Sequence, residues 1–323
     1  MLISLLLDWE NIYGDASVIR IVLANKGFIT TVYASLSCFV LWLLKKKDAT
    51  APTGLYASMP GRLVYLLTSF ILLYASGALE VNHQFASRYP DSNLHSLYLL
   101  LYSLGFVLVF TTVTTKMQLF NQGLYVAVLY AAGILWYFIS ISETFSIQYY
   151  MLGKNALQRH FMAHYISALL LSIIMYRLIQ LFRSGKITII KDYTVLTSII
   201  CIAIVAFVSI EGALIVNNIF YPKSSFDDLH RIYIKTGLPI LWGICSFALM
   251  WLGMNLKFKT LRIISLVLFS VTLLKLFIFD IRNIPVAGKI AAFFCLGVLL
   301  LIVSFMYQRL KKIIIQDESK PQA

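Results

Sequence analysis

The sequence predicts an all-α fold: a polytopic bundle of about nine transmembrane helices built from repeated helical hairpins. Three observations carry this expectation. Hydrophobic residues fill 60% of the 323 positions and charged residues only 13%, where a water-soluble domain is about half apolar and roughly a quarter charged. The mean hydropathy is correspondingly high, at +0.82. The apolar residues also gather into continuous runs, without the alternation of a barrel strand, and a helix satisfies its own backbone hydrogen bonds in lipid. Finally, the surplus of 27 Lys and Arg over 14 Asp and Glu sits between those runs, as short cytoplasmic connections require. That placement favours a lipid bilayer as the partner and argues against nucleic acid.

Taken in order, residues 1–26 read as an extramembrane or interfacial segment. Met1 to Leu7 is a short apolar run without a basic start, and Asp8 and Glu10 follow at once, so it resembles a helix stub more than an export signal. A transmembrane domain then occupies residues 27–306. Its nine runs are Gly27 to Leu44, Leu63 to Leu79, Leu97 to Val113, Gly123 to Ile141, Ala163 to Leu181, Val195 to Ile219, Gly237 to Met254, Ile263 to Phe279 and Ile290 to Met306. Each is close to the 17–25 residues a span needs. Residues 307–323 form a cytoplasmic tail.

Orientation follows from the basic residues. The connections around 45–62, 116, 183–191, 257–262 and 309–320 hold 15 Lys and Arg, against 10 in those around 20–26, 88, 154–159, 223–235 and 282–289. The richer set faces the cytoplasm, which puts the C-terminus inside and segment 1–26 outside. The four cysteines lie far apart within apolar runs with no C-x-x-C pair, so neither a disulfide framework nor a thiolate metal site is indicated.

An internal repeat stands out. Gly77-Ala78-Leu79 and Gly212-Ala213-Leu214 each precede, by 18 residues, a histidine in a Leu-His-x-x-Tyr motif, His95 or His230, at a constant offset of 135. Glu143 and His160 form a looser middle copy, and Asp280 with Lys289 flanks the last outer turn. Each hairpin thus leaves the membrane on an acid and re-enters on a base.

The last third, from Leu261-Arg262-Ile263 through Lys275-Leu276-Phe277-Ile278-Phe279-Asp280 to Tyr307-Gln308-Arg309, resembles the C-terminal end of a bacterial multi-pass membrane family, domain of unknown function 2339. Asp8-Trp9 with Tyr13, and Asn25-Lys26-Gly27-Phe28, are similar to the family's earlier segments. Members of that family are typically longer, with more spans and often an N-terminal coiled coil, so the resemblance implies a short member or the C-terminal portion of a longer one. It implies a bacterial inner-membrane location and brings no activity.

The residues able to carry chemistry fall on the outer side of this topology: Glu80, His83, His95, Glu143, His160, His164, Glu211, His230 and Asp280. Converging in a bundle, they would line an outward-facing pocket; solvated residues collecting in turns would look the same. His160 and His164 have the i, i+4 spacing of two metal ligands on one helical face, without an identifiable third. Glu80 shares a face with His83 and Gln84, which suits either proton transfer or the capping of a helix end. Glu211 lies about two turns inside its run, where a carboxylate is costly unless paired. Gly77-Ala78 and Gly212-Ala213 let helices approach closely, and Tyr89, Tyr98, Tyr149, Tyr150, Tyr221 and Tyr233 match an aromatic belt. No soluble-enzyme signature is present, and these residues name no cofactor. Three functions remain open: an envelope component working through protein partners, a transporter of a small solute or ion, and an enzyme acting on a lipid-linked ligand at the outer leaflet.

Overall fold

The computed structural model describes residues 2–15, 18–47, 62–117, 123–154, 157–185, 193–221 and 226–276, with 290, 297 and 301 as isolated helical positions. All regular structure among them is helical. The chain divides into two compact units, Met1–Lys191 and Asp192–Ala323.

In the first unit the helices are α1 (Leu2–Tyr13), α2 (Lys26–Lys47), α3 (Arg62–Arg88), α4 (Leu94–Lys116), α5 (Leu124–Ile139), α6 (Ile141–Lys154) and α7 (Met162–Arg183). α2 and α3 make its most extensive pairing, α3 continues onto α4, and α7 packs on both α4 and α5. The α2–α3 contact is drawn together by small residues. Ser35 Oγ donates to the Ser69 carbonyl at 2.8 Å and Ser69 Oγ returns a bond to the Ser35 carbonyl at 2.9 Å. Such hydroxyl-to-backbone bonds hold helices together where lipid supplies no hydrophobic drive. Leu94, Leu97, Leu100 and Leu104 make the buried stripe of α4, and Leu171, Ile174, Met175 and Leu178 that of α7. The opposite faces carry exposed Ile71, Val109, Val128 and Leu169, side chains that match acyl chains and would be misplaced in water.

The expected fourth span, Gly123 to Ile141, is part of a longer bent element. α5 and α6 meet at 43°, so helix continues where a turn was expected. Ser140 Oγ bonds back to the Trp136 carbonyl at 2.8 Å and Thr144 Oγ1 to the Ser140 carbonyl at 3.0 Å; this back-bonding by hydroxyl side chains bends helices. α6 then packs beside the 3₁₀ turns Pro90–Ser92 and Gln158–Phe161.

The second unit holds α8 (Tyr193–Phe220), α9 (Phe226–Ile232), a π-helical turn (Tyr233–Gly237), α10 (Leu238–Asn255) and α11 (Lys259–Lys275). α10 ends in a left-handed Lys257, with Phe258 N donating to Gly253 O at 3.0 Å and Lys257 N to Met254 O at 3.2 Å. This is the Schellman arrangement, and it turns the chain straight into α11. At the other end of the hairpin Lys275 Nζ donates to the Ile234 carbonyl.

The two glycines of the repeat have one local role in common. A Cβ on Gly77 would lie 2.3 Å from the Tyr102 hydroxyl, and one on Gly212 2.7 Å from the Tyr233 hydroxyl. Each hydroxyl donates to the carbonyl three residues before its glycine: Tyr102 to Tyr74 at 3.2 Å, Tyr233 to Ser209 at 2.5 Å. The glycines are therefore recesses for a tyrosine from a neighbouring element. Tyr233, read from sequence as an interfacial anchor, is instead buried, because its hydroxyl finds a backbone acceptor inside the bundle.

Among the described residues six helical stretches are long and apolar enough to cross a membrane, beginning at Lys26, Leu63, Leu94, Gln158, Thr194 and Asp228, and the bent α5–α6 pair would make seven. The expected eighth span corresponds to α11, whose described part ends at Lys275 after 17 residues. The expected ninth, Ile290 to Met306, lies outside the described residues apart from three positions.

Candidate functional site

One stripe of α3 runs from Leu66 through Ser69, Leu72 and Ser76 to Glu80 and His83, all buried. It changes from apolar to polar where segment 18–25 crosses it. Glu80 is 3% exposed, and four protein donors fill its carboxylate. Oε1 accepts from Leu23 N at 3.0 Å and Gln84 Nε2 at 2.9 Å. Oε2 accepts from Asn25 Nδ2 at 2.6 Å and the Tyr13 hydroxyl at 3.1 Å. A buried carboxylate is tolerated only with its lone pairs occupied in this way.

The sequence builds each donor locally. Asn25 is the N-cap of α2: its Oδ1 takes the Phe28 N–H at 2.8 Å, the usual service of a short polar side chain there, and its amide is left to face Glu80. Leu23 sits at φ 61°, a left-handed conformation that costs a non-glycine residue on the order of 1–2 kcal/mol and aims its N–H at the carboxylate. Gln84 lies one turn beyond Glu80, and Tyr13 ends α1. Trp9 Nε1 on Thr31 Oγ1 at 2.7 Å, the exposed Lys26–Asp8 ion pair at 2.9 Å, and Leu5 packed with Ala34 and Leu72 dock α1 on the α2–α3 pair. Arg20 Nε donates to the Ile12 carbonyl at 2.9 Å, answering an open acceptor at the end of α1.

His83 is 2% exposed. Its Nε2 faces the Val18 carbonyl at 3.0 Å and so carries the hydrogen, and its ring stands edge-on to Tyr13 with centroids 5.6 Å apart. His83 Nδ1 and Gln84 Oε1 are enclosed without hydrogen-bond partners among the described residues, while Gln84 Nε2 also reaches the Arg20 carbonyl at 3.1 Å. The Tyr13 hydroxyl has one hydrogen for two acceptors, Glu80 Oε2 and Asn25 Oδ1, both at 3.1 Å. Burial, then the adjacent Glu80 charge, pushes the Tyr13 phenol well above its ordinary 10.0. A phenol whose folded pKa is raised contributes stability that is complete below the unfolded value and is lost as pH rises through the folded one. Segment 18–25 is therefore expected to become more protease-sensitive above about pH 10, and Tyr13→Phe to remove that alkaline step in a pH series of limited proteolysis.

The remaining candidates each have surroundings of their own. His160 lies in the 3₁₀ turn before α7, its Nδ1 2.8 Å from the Tyr98 hydroxyl. Phe85 stacks on that tyrosine at 3.8 Å and Tyr89 meets the histidine edge-on. His164 is buried beside the rings of Tyr137, Phe161 and Tyr165. His95 is half-buried in the first turn of α4, and Glu143 is exposed at the start of α6. In the second unit Glu211 is half-buried on α8 and His230 exposed on α9, and Asp280 lies outside the described residues. Among the described residues no group of three or more His, Cys, Asp or Glu is placed to hold a metal. Glu80 and His83 are thus brought together through Tyr13, within one unit. Tyr13, Leu23 and Asn25 are the partners that sequence reading did not assign to this site. A readable signal existed only for Asn25, as a capping residue before an apolar run.

No curated protein and no solved structure matches the chain. The profile of the family described as predicted membrane protein, DUF2339, matches residues 1–310. A chain matched over that length, whose described regular structure is all helical and which carries several apolar membrane-length helices, belongs to the DUF2339 family of predicted membrane proteins.

Proposed function

We propose that the protein is a non-catalytic multi-pass component of the bacterial inner membrane that works in the cell envelope through protein partners. The observation that carries this reading is the occupancy of Glu80. Its carboxylate is filled by donors from its own chain, so the acid and histidine pair of the α3 end serves as a latch for segment 18–25 rather than as an open site. About nine spans in hairpin repeats, with segment 1–26 outside and the C-terminus in the cytoplasm, complete the proposal. The excess of Lys and Arg in one set of connections supports the orientation, and the Gly-Ala-Leu and Leu-His-x-x-Tyr matches at a constant offset of 135 support the repeat.

The test compares a deletion strain with strains carrying Glu80→Ala, His95→Ala, Glu143→Ala, His160→Ala, Glu211→Ala or His230→Ala. The expected result is that any defect tracks the amount of protein in the membrane. A single variant at full abundance that reproduces the deletion phenotype would sink the proposal in favour of chemistry at that residue. Orientation is read separately with a cysteine at Glu143 or Lys257 in a cysteine-free background. An impermeant maleimide is expected to label the first in intact spheroplasts and the second only after lysis.

A second reading, transport of a small solute or ion, draws on Glu211, a half-buried acid 19 residues into the 28-residue α8, since acids at membrane depth line many transport pathways. It predicts a substrate flux that Glu211→Gln abolishes without loss of protein.

A further inference from the structure

We propose that the α10–α11 turn is a binding site for the phosphate of an anionic phospholipid, with Arg262 as its buried anchor. Arg262 is 4% exposed, and its Nε is enclosed without a hydrogen-bond partner among the described residues. A buried guanidinium keeps its charge, and leaving it without an anion costs several kcal/mol. The chain has made room for it: a Cβ on Gly253 would lie 2.8 Å from Arg262 Cγ, so that glycine admits the arginine stem between the helices.

The hairpin supplies no counter-charge. Between Asp228 and Asp280 the sequence contains no Asp or Glu. The described acids of this unit lie at its opposite end. Asp228 is in α9, and Glu211 adjoins Gly212, which holds Tyr233 just before α10. The Lys275–Ile234 bond places the end of α11 beside the start of α10, so Arg262 is separated from that end by most of the 18-residue α10, about 27 Å. Positive charge is instead compounded at the turn, where exposed Lys257 and Lys259 join the open N–H groups of α11, a helix end that attracts anions. Arg262 is the fourth residue of α11 and leans toward that end, because helical Cα–Cβ bonds tilt toward the N-terminus.

The anion is a lipid's rather than a free one because the neighbours of these cations are greasy. Leu252, Leu256, Phe258 and Ile263 are all exposed, at the end of the membrane-length helical stretch that contains α10, where acyl chains would cover them. The chemistry recognised is a phosphodiester carrying net negative charge.

The experiment uses the full chain, delipidated in mild detergent, with native mass spectrometry and thermal unfolding as readouts. Phosphatidylglycerol is expected to be retained and to raise Tm; diacylglycerol and inorganic phosphate at equal concentration are not. Arg262→Gln is expected to weaken phosphatidylglycerol binding about tenfold, the value of a lost charge-assisted hydrogen bond, with partial rescue by Arg262→Lys. Should Arg262→Gln fail to fold, the double variant Lys257→Gln/Lys259→Gln, altered only at exposed positions, is expected to weaken binding about fivefold or more. Equal retention of phosphatidylglycerol and diacylglycerol, undiminished binding by folded variants, or no lipid effect on the wild type would overturn the proposal. Inorganic phosphate matching the lipid would overturn the lipid assignment in favour of a soluble anion.

Discussion

Replacing Glu80 with alanine is expected to release segment 18–25 from the end of α3 and to destabilise the first unit by on the order of 3 kcal/mol or more. Its carboxylate is the common acceptor for Leu23 N, Asn25 Nδ2, Gln84 Nε2 and the Tyr13 hydroxyl. Each donor left buried and unpaired costs about 1–3 kcal/mol, and water entering the vacated space recovers only part of that. Glu80→Gln keeps the shape but turns an NH₂ toward one of the donors, so it too is destabilising, by less than alanine. Glu80→Asp is shorter by one methylene and cannot reach both Leu23 and Asn25 without moving α3. Thermal unfolding in detergent, with limited proteolysis between residues 18 and 25, reads both effects. An alanine variant as stable and as protease-resistant as wild type would show the carboxylate to be dispensable to the fold.

Adding one methyl group at Gly77 is expected to be nearly as disruptive. The new Cβ would sit 2.3 Å from the Tyr102 hydroxyl and 2.5 Å from its Cζ, distances no side chain accepts. Either the tyrosine ring swings out, losing its bond to the Tyr74 carbonyl, or α4 moves away from α3. Overpacking of this kind costs about 1–3 kcal/mol. Because the cost lies in one pair of residues, Gly77→Ala combined with Tyr102→Leu is expected to be more stable than the sum of the two single changes, a coupling that a double-mutant cycle in thermal unfolding measures. Additive single effects would show that the glycine serves something other than the tyrosine.

How much of this was legible in the sequence depends on the length scale of the contact. Helices were readable because a run such as Leu94 to Lys116 is apolar all along, which is a local property. The shared face of Glu80, His83 and Gln84 was readable for the same reason, as these residues lie within one turn. The bend at Ser140 was not: a serine within an apolar run does not announce whether its hydroxyl will bond back to Trp136. Nor were the partners of Glu80, since Tyr13 and Asn25 lie 67 and 55 residues away and no periodicity links them. His160 and His164 have ligand spacing on paper, yet the first closes on Tyr98 and the second among aromatic rings, because the first lies in a 3₁₀ turn and the second in α7, and the α4 and α5 surfaces reach each first. The recess at Gly77 lies between these cases. Its glycine was marked as a place of close approach, but the filler is Tyr102, two turns of helix from the first residue of α4.

Two of the bonds of the Asn25 side chain belong to different moments in the life of the chain. Its bond to Phe28 joins residues three apart and can form as soon as α2 does, whereas its bond to Glu80 must wait until α3 has been synthesised and inserted beside α2. The same delay applies to Tyr13 and Leu23. Segment 18–25 therefore closes only behind a completed pair of spans, and its folded state reports, on the side of the membrane it occupies, that the first hairpin has been laid down in register.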